Sequence, residues 1–235
     1  MPLTSIEPRR LYRQIAEQIR GLIASGEYSV GARLPPERDL ARQLRVSRPS
    51  VREALIALEV EGLVEVRVGS GIYVHAPASG MRAPRAVNGG SPAGPFELIR
   101  ARKAIEGECA ALAAKEGKRA QLNQIGEALK QMEEDARKRA QPLDADRLFH
   151  LRIAEATNNA ALVHVVKSLW EERGGPLFSK LQHHFDTPRS WSSAIREHTA
   201  VLEAIRGHDP EQARAAMHDH MERAAKRFSK SWDAG

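Results

Sequence analysis

Apolar residues recur with two different periods along this 235-residue chain. In "RRLYRQIAEQIRGLIASGEY", Leu11, Ile15, Ile19 and Leu22 fall at helical intervals, and Gly26 is placed to end that helix. "GARLPPERDLARQLRV" opens a second helix at Pro35–Pro36, because proline is tolerated in a first turn. A third runs from about Ser47 to Gly62, with Val51, Ala54, Leu55 and Leu58 facing inward. "LVEVRVGSGIYVH" then alternates apolar and polar residues around Gly69–Ser70–Gly71, which predicts a two-stranded hairpin with a glycine turn. From residue 95 onward the period is helical, over 95–116, 119–139, 142–157, 160–183, 188–207 and 209–230, with a kink expected at Gly174–Gly175–Pro176. Between the two patterned regions, "APASGMRAPRAVNGGSPAGP" has no apolar face and reads as a linker. The prediction is a mainly α fold: a small N-terminal domain over 1–77, a flexible linker over 78–94 and an antiparallel bundle of six to seven helices over 95–235.

Composition narrows the chemistry. Aromatic residues are only 5% of the chain, so the core rests on Leu, Ile, Val and Ala, which suits packed helices. The single cysteine, Cys109, excludes an intrachain disulfide framework and a Cys-rich zinc module. No apolar run approaches the roughly 20 residues of a membrane span, and "MPLTSIEPRR" lacks the apolar core of a signal peptide, so a cytosolic protein is expected. The net charge is +6, and ten arginines fall within residues 1–52. Basic charge concentrated in this way favours a polyanionic partner, because neutralising phosphates releases counterions.

The N-terminal pattern, short helices followed by a glycine-tipped hairpin, is that of a winged helix-turn-helix, whose recognition helix presents its leading residues to base edges. In "VSRPSVREAL", Pro49 sets the first turn and Ser47 or Ser50 can cap it. Arg48 and Arg52 lie in line beside the apolar stripe and are suited to bidentate contact with guanine. The alternative is a surface helix in which Arg52 pairs with Glu53, Glu59 or a neighbouring helix. Arg38 in "PPERDL" is open to phosphate contact or to a salt bridge. Arg67, Gly69, Ser70 and Gly71 would form the wing tip, where small residues let the backbone approach a groove.

"GARLPPERDLARQLRVSRPSVREALIALEVEGLVEVRVGSGIYV" strongly resembles the DNA-binding half of GntR-family bacterial transcription regulators over nearly all of residues 9–75. The resemblance implies that Arg38, Arg48 and Arg52 read DNA and that Gly69 is the wing-tip glycine. Pro49 departs from the family pattern, where a hydroxyl residue is common.

In the second domain, polar groups occupy inward faces. Asp146 and His150 are four apart, on a face with Leu143, Ile153 and Thr157. His198 lies in line with Ile195, Leu202 and Ile205; His220 aligns with Ala213, Ala216, Met217 and Ala224, while His218 points toward solvent. Each histidine alone is readily a hydrogen-bonded core residue. Together with an aspartate they form a ligand set for a divalent metal such as Zn²⁺, Ni²⁺ or Mn²⁺, and helical bundles build such sites from facing helices. Arg102 falls on the stripe Leu98, Ile105, Cys109 and Leu112, so it either pairs with Glu106 one turn on or holds a bound carboxylate.

"FELIRARKAIEGECAALAA", "DRLFHLRIAEATNN", "REHTAVLEAI" and "MHDHMERA" resemble the FCD effector domain of the FadR-like branch of the same family. That resemblance implies a divalent metal, zinc first, on Asp146, His150, His198 and His220, and an effector carboxylate held by Arg102, with Asn159 nearby. "GSGIYV", "GPFELIRAR" and "SLWEERGGPLFSKLQHHF" are similar to regulators of hexuronate catabolism, which points to a sugar acid as effector. Trp170, Gln182 and His184 are the corresponding pocket residues, with ordinary helix packing as the alternative. The resemblance implies a homodimer on pseudo-palindromic double-stranded operator DNA, a repressor released by its ligand, with no membrane partner and no enzymatic activity. Other organic acids, such as lactate or pyruvate, are alternative effectors. A metal-dependent hydrolase and a purely architectural DNA-binding protein are the rival classes.

Overall fold

The computed structural model describes residues 10–75 and 93–230, so most of the predicted linker lies outside the described residues. The chain divides into two compact units at Gly94–Pro95.

In the first unit, α1 (Leu11–Ala24), α2 (Glu37–Leu44) and α3 (Arg48–Val60) are followed by β1 (Val64–Arg67) and β2 (Gly71–Val74). The strands pair antiparallel, with Val64 opposite Val74 and Arg67 opposite Gly71. α2 starts one residue after the expected Pro35–Pro36 opening, with the Pro36 carbonyl accepting the Leu40 N–H at 3.0 Å, and Ser47 caps α3 by accepting the Ser50 backbone N–H at 3.3 Å. The inward stripe of α3 is as expected, with Val51, Ala54, Leu55 and Leu58 all buried. On α1 the buried stripe is Tyr12, Ile15, Ala16 and Ile19; Leu11, expected inside, is exposed. Ile15 and Ile19 keep their expected places, and Tyr12, three residues before Ile15, takes the inward position at the start of the helix. Residues 31–34 run beside β2 through Leu34 N–H to Ile72 O and Val74 N–H to Ala32 O. At Gly71 (φ 124°), a Cβ would lie 2.5 Å from the Arg33 side chain, so glycine there serves both the turn and the close approach.

The second unit is a bundle of α4 (Pro95–Glu116), α5 (Arg119–Arg137), α6 (Leu143–Ala156), α7 (Ala160–Arg173), α8 (Pro176–Phe185), α9 (Pro188–Arg206) and α10 (Pro210–Phe228). The expected kink is a full break: α7 ends on Gly174 and Gly175, and Pro176, which has no N–H to donate, starts α8. α9 and α10 are entered the same way, with Pro188 and Pro210 following the caps Thr187 and Asp209. α4 lies at the centre, against α6, α7, α9 and α10. Buried Ala110, Ala111, Ala113 and Ala114 let neighbouring helices come close. Gly107 is tighter still: a Cβ there would meet His218 Nε2 at 2.3 Å. His218 is therefore half-buried against α4, and not turned to solvent as expected. Among the described residues, no helix is long and apolar enough to cross a membrane.

Candidate metal centre and nucleic-acid face

The first two turns of α6 and the middles of α9 and α10 bring four side chains together inside the bundle. His150, His198 and His220 are buried, with ring nitrogens close enough to share one ion. His150 Nε2 and His198 Nε2 lie 3.1 Å apart. Asp146 Oδ1 stands 3.1 Å from His198 Nε2 and 3.7 Å from His150 Nε2. The opposite nitrogens are engaged from behind. His198 Nδ1 meets the Ala194 carbonyl at 2.6 Å, His220 Nδ1 meets Glu197 Oε2 at 2.9 Å, and His150 Nδ1 lies against Glu106. With Nδ1 of His198 and His220 donating outward, their Nε2 atoms carry lone pairs. Acceptors that converge in a buried space repel unless a cation lies among them. Imidazole held by a carboxylate or carbonyl behind it is the usual outer arrangement of a metal ligand, so the residues fit a divalent metal.

Electrostatics agree with that fit. Burial, together with His198 and His150, pushes the His220 imidazole well below its ordinary pKa, so the ring is neutral near pH 7 and able to bind a cation. Burial would raise the Asp146 carboxyl, but His198 and Arg173 hold it well below the usual carboxylate range. Glu106 is likewise raised by burial and brought down overall, to about 2, by Arg102 and His150.

Asp146 and His220 form part of the wall of a cavity that also exposes Arg102, Arg173, Asp186, Trp191 and Arg227. Arg102 pairs with Glu106 (Nε–Oε1 2.7 Å), as the alternative reading had it, yet it still reaches the cavity. Arg173 lies 3.3 Å from Asp146 Oδ2, and Arg227 grips Glu197 at 2.6 and 3.1 Å. Two arginines lie over the Trp170 ring, Arg102 4.1 Å from its centroid and Arg173 4.5 Å.

On the first unit, the Arg38 side chain is 79% exposed and only 3.7 Å from Asp39, and Arg48 is about half exposed. Ser47 and Ser50 share a hydroxyl–hydroxyl bond of 2.8 Å at the leading end of α3. Arg67 stacks on Tyr73 at 4.6 Å and pairs with Glu65 at 2.7 Å, beside the exposed turn residues Gly69 and Ser70.

Residues 97–223 match the FCD domain, and residues 11–74 match the bacterial regulatory proteins of the gntR family. The chain belongs to the GntR family of bacterial transcription regulators. The Uxu operon transcriptional regulator of Escherichia coli (strain K12) is 39% identical over 226 residues, covering 94% of this chain and 87% of that protein. The Exu regulon transcriptional regulator of the same strain is 39% identical over 221 residues, 92% of this chain and 83% of that protein. Among solved structures, Streptococcus agalactiae GntR superposes with a TM-score of 0.50 at 25% identity, over 92% of this chain and 99% of that one. Membership in the GntR family makes the chain a DNA-binding regulator and not an enzyme.

Within this GntR-family chain, the structure corrects several expected roles. Arg52 does not lie open beside Arg48: it is 1% exposed and its guanidinium is bound to Glu37 of α2. The helix on which it sits is buried nearly all round, and a buried cation takes the nearest carboxylate. Asn159, expected at the effector, accepts the N–H groups of Ala161 and Leu162 as the cap of α7. Gln182 bonds Asp186 at 2.6 Å, and the His184 ring packs near His183; neither lines the cavity. Trp170 is also absent from the wall and acts from behind it, on Arg102 and Arg173. Sequence reading missed Arg173, Arg227 and Glu197, and it named Glu106 only as a partner of Arg102, not as the group behind His150. The inward line of α4 held a signal for Glu106, one turn after Arg102; Arg173 lay unmarked at the end of a helix expected to continue.

Proposed function

We propose that the chain is a homodimeric repressor of sugar-acid (hexuronate) catabolism genes, acting in the bacterial cytoplasm and released from its operator by a carboxylate effector. The observation that carries this reading is the Asp146–His150–His198–His220 set on the edge of an arginine-lined cavity. Arg102, Arg173 and Arg227 are matched by Glu106, Asp146 and Glu197, and Asp186 adds a further carboxylate. A divalent ion, zinc first, would leave that cavity with surplus positive charge and accept a carboxylate oxygen of the ligand. Arg102 and Arg173, both packed on the Trp170 ring, orient the same acid group. Relatives named for the Uxu operon and the Exu regulon support the hexuronate reading.

On DNA, Arg38, Arg48, Ser47 and Ser50 of the helix ends and Arg67, Gly69 and Ser70 of the wing would make the contacts, with Arg52 and Gly71, both buried, behind them. Two such units meet a pseudo-palindromic site. The ligand acts by binding one dimer arrangement more tightly than the other. Fluorescence anisotropy on the promoter fragment upstream of its own gene tests this. Galacturonate, glucuronate and their keto-acid isomers are added to zinc-loaded and chelator-treated protein. Release by one of these acids in the zinc-loaded protein alone is expected; release that ignores the chelator would remove the metal from the mechanism.

A further inference from the structure

Glu37 opens α2 and is 4% exposed, a rare position for a carboxylate. Both of its oxygens face α3. Oε2 accepts from Arg52 Nε at 2.9 Å and from Arg52 Nη2, while Oε1 accepts from Arg48 Nε at 3.3 Å. The two arginines differ in what is left over. Arg52 lies beneath the surface, whereas Arg48 stands at the helix end, 46% of its side chain exposed, held by Nε. A long side chain at an exposed helix end loses much rotamer freedom when it docks on a base. A carboxylate holding Nε fixes the plane of the guanidinium and turns the two Nη groups outward as a fork, the shape that guanine O6 and N7 accept.

The geometry points to Glu37 as the positioning residue for base reading: anchored by buried Arg52, it holds Arg48 through Nε and presents the remaining fork to the major groove. This rests on the first unit being the operator-binding part. Charge alone predicts the opposite sign. A carboxylate next to phosphates repels them, so its removal strengthens binding to every duplex. A carboxylate that positions a reader weakens discrimination between duplexes when it is lost.

The full-length wild-type protein is used to select duplexes from a random-sequence pool. Wild type, Glu37→Gln, Arg48→Ala and the double variant are then measured on the selected duplex, on derivatives with single G·C pairs replaced, and on an unrelated duplex. Glu37→Gln is expected to lose at least about fivefold of discrimination at one G·C pair, the lower edge of what a bidentate contact supplies. Its binding to the unrelated duplex is unchanged or tighter. In the Arg48→Ala background, Glu37→Gln changes discrimination no further. Unchanged discrimination in Glu37→Gln overturns the inference, as does an equal loss that persists without Arg48. Should Glu37→Gln unfold at the assay temperature, Glu37→Leu with Arg52→Met removes both buried charges together. That pair is expected to show the same loss, and full discrimination in it overturns the inference. If wild type selects no sequence, the operator-binding role falls and the inference with it; a selecting wild type beside a normally discriminating Glu37→Gln defeats the inference alone.

Discussion

Both units bury charged side chains, and they do so differently. Under the recognition helix, Arg52 is answered within the protein by Glu37. In the bundle, three imidazoles and Asp146 turn acceptors toward one another, while their far sides are engaged by Glu106, Ala194 and Glu197. A buried charge whose partner is present is architecture. A buried set of imidazoles that converge on one point and are held from behind marks a place for something from outside, because desolvated lone pairs need a positive neighbour.

The comparison is sharpest where one side of the closed pair is removed. Arg52→Ala leaves Glu37 buried without its main partner and should destabilise the first unit by about 3–5 kcal/mol, read by urea denaturation. Replacing both, Glu37→Leu with Arg52→Met, should restore most of that stability; equal destabilisation in both variants would mean the pair is not the source. The open site should respond in metal affinity instead of in folding. Glu197→Gln, which loosens the support behind His220, is expected to weaken zinc binding about 10–100-fold with little change in melting of the metal-free protein. His198→Ala should lower metal content and ligand response while operator binding is retained, and full occupancy in that variant would take His198 out of the ligand set. On the DNA face, Arg48→Ala should cost about 1–3 kcal/mol of specific binding with no loss of fold, checked by anisotropy beside circular dichroism. The smallest effect belongs to the cap: Ser47→Ala should lower stability by about 1 kcal/mol, seen as a modest fall in the thermal midpoint.

Much of this was legible from periodicity. The stripe of α3, the glycine-tipped hairpin and the inward positions of Asp146, His150, His198 and His220 follow from which residues share a face, a local property of spacing. The effector wall was less legible. The family resemblance put Asn159 near the effector, yet helix capping is a local use of asparagine, and here its side chain caps α7. Arg173 carried no periodic signal, because its value lies in meeting Asp146 and Trp170 across the bundle.

Spacing along the chain by itself determined two patterned regions, the helical character of nearly every segment, and a set of histidines and an aspartate turned inward. Tertiary packing alone decided that these four meet at one point, that Arg52 belongs to Glu37 and not to the surface, and that arginines from α4, α7 and α10 line one cavity. The physical reason is the range of the forces. Helix faces are set by bonds between residues three and four apart, whereas the partner of a buried charge is whichever opposite group the packed helices bring within reach.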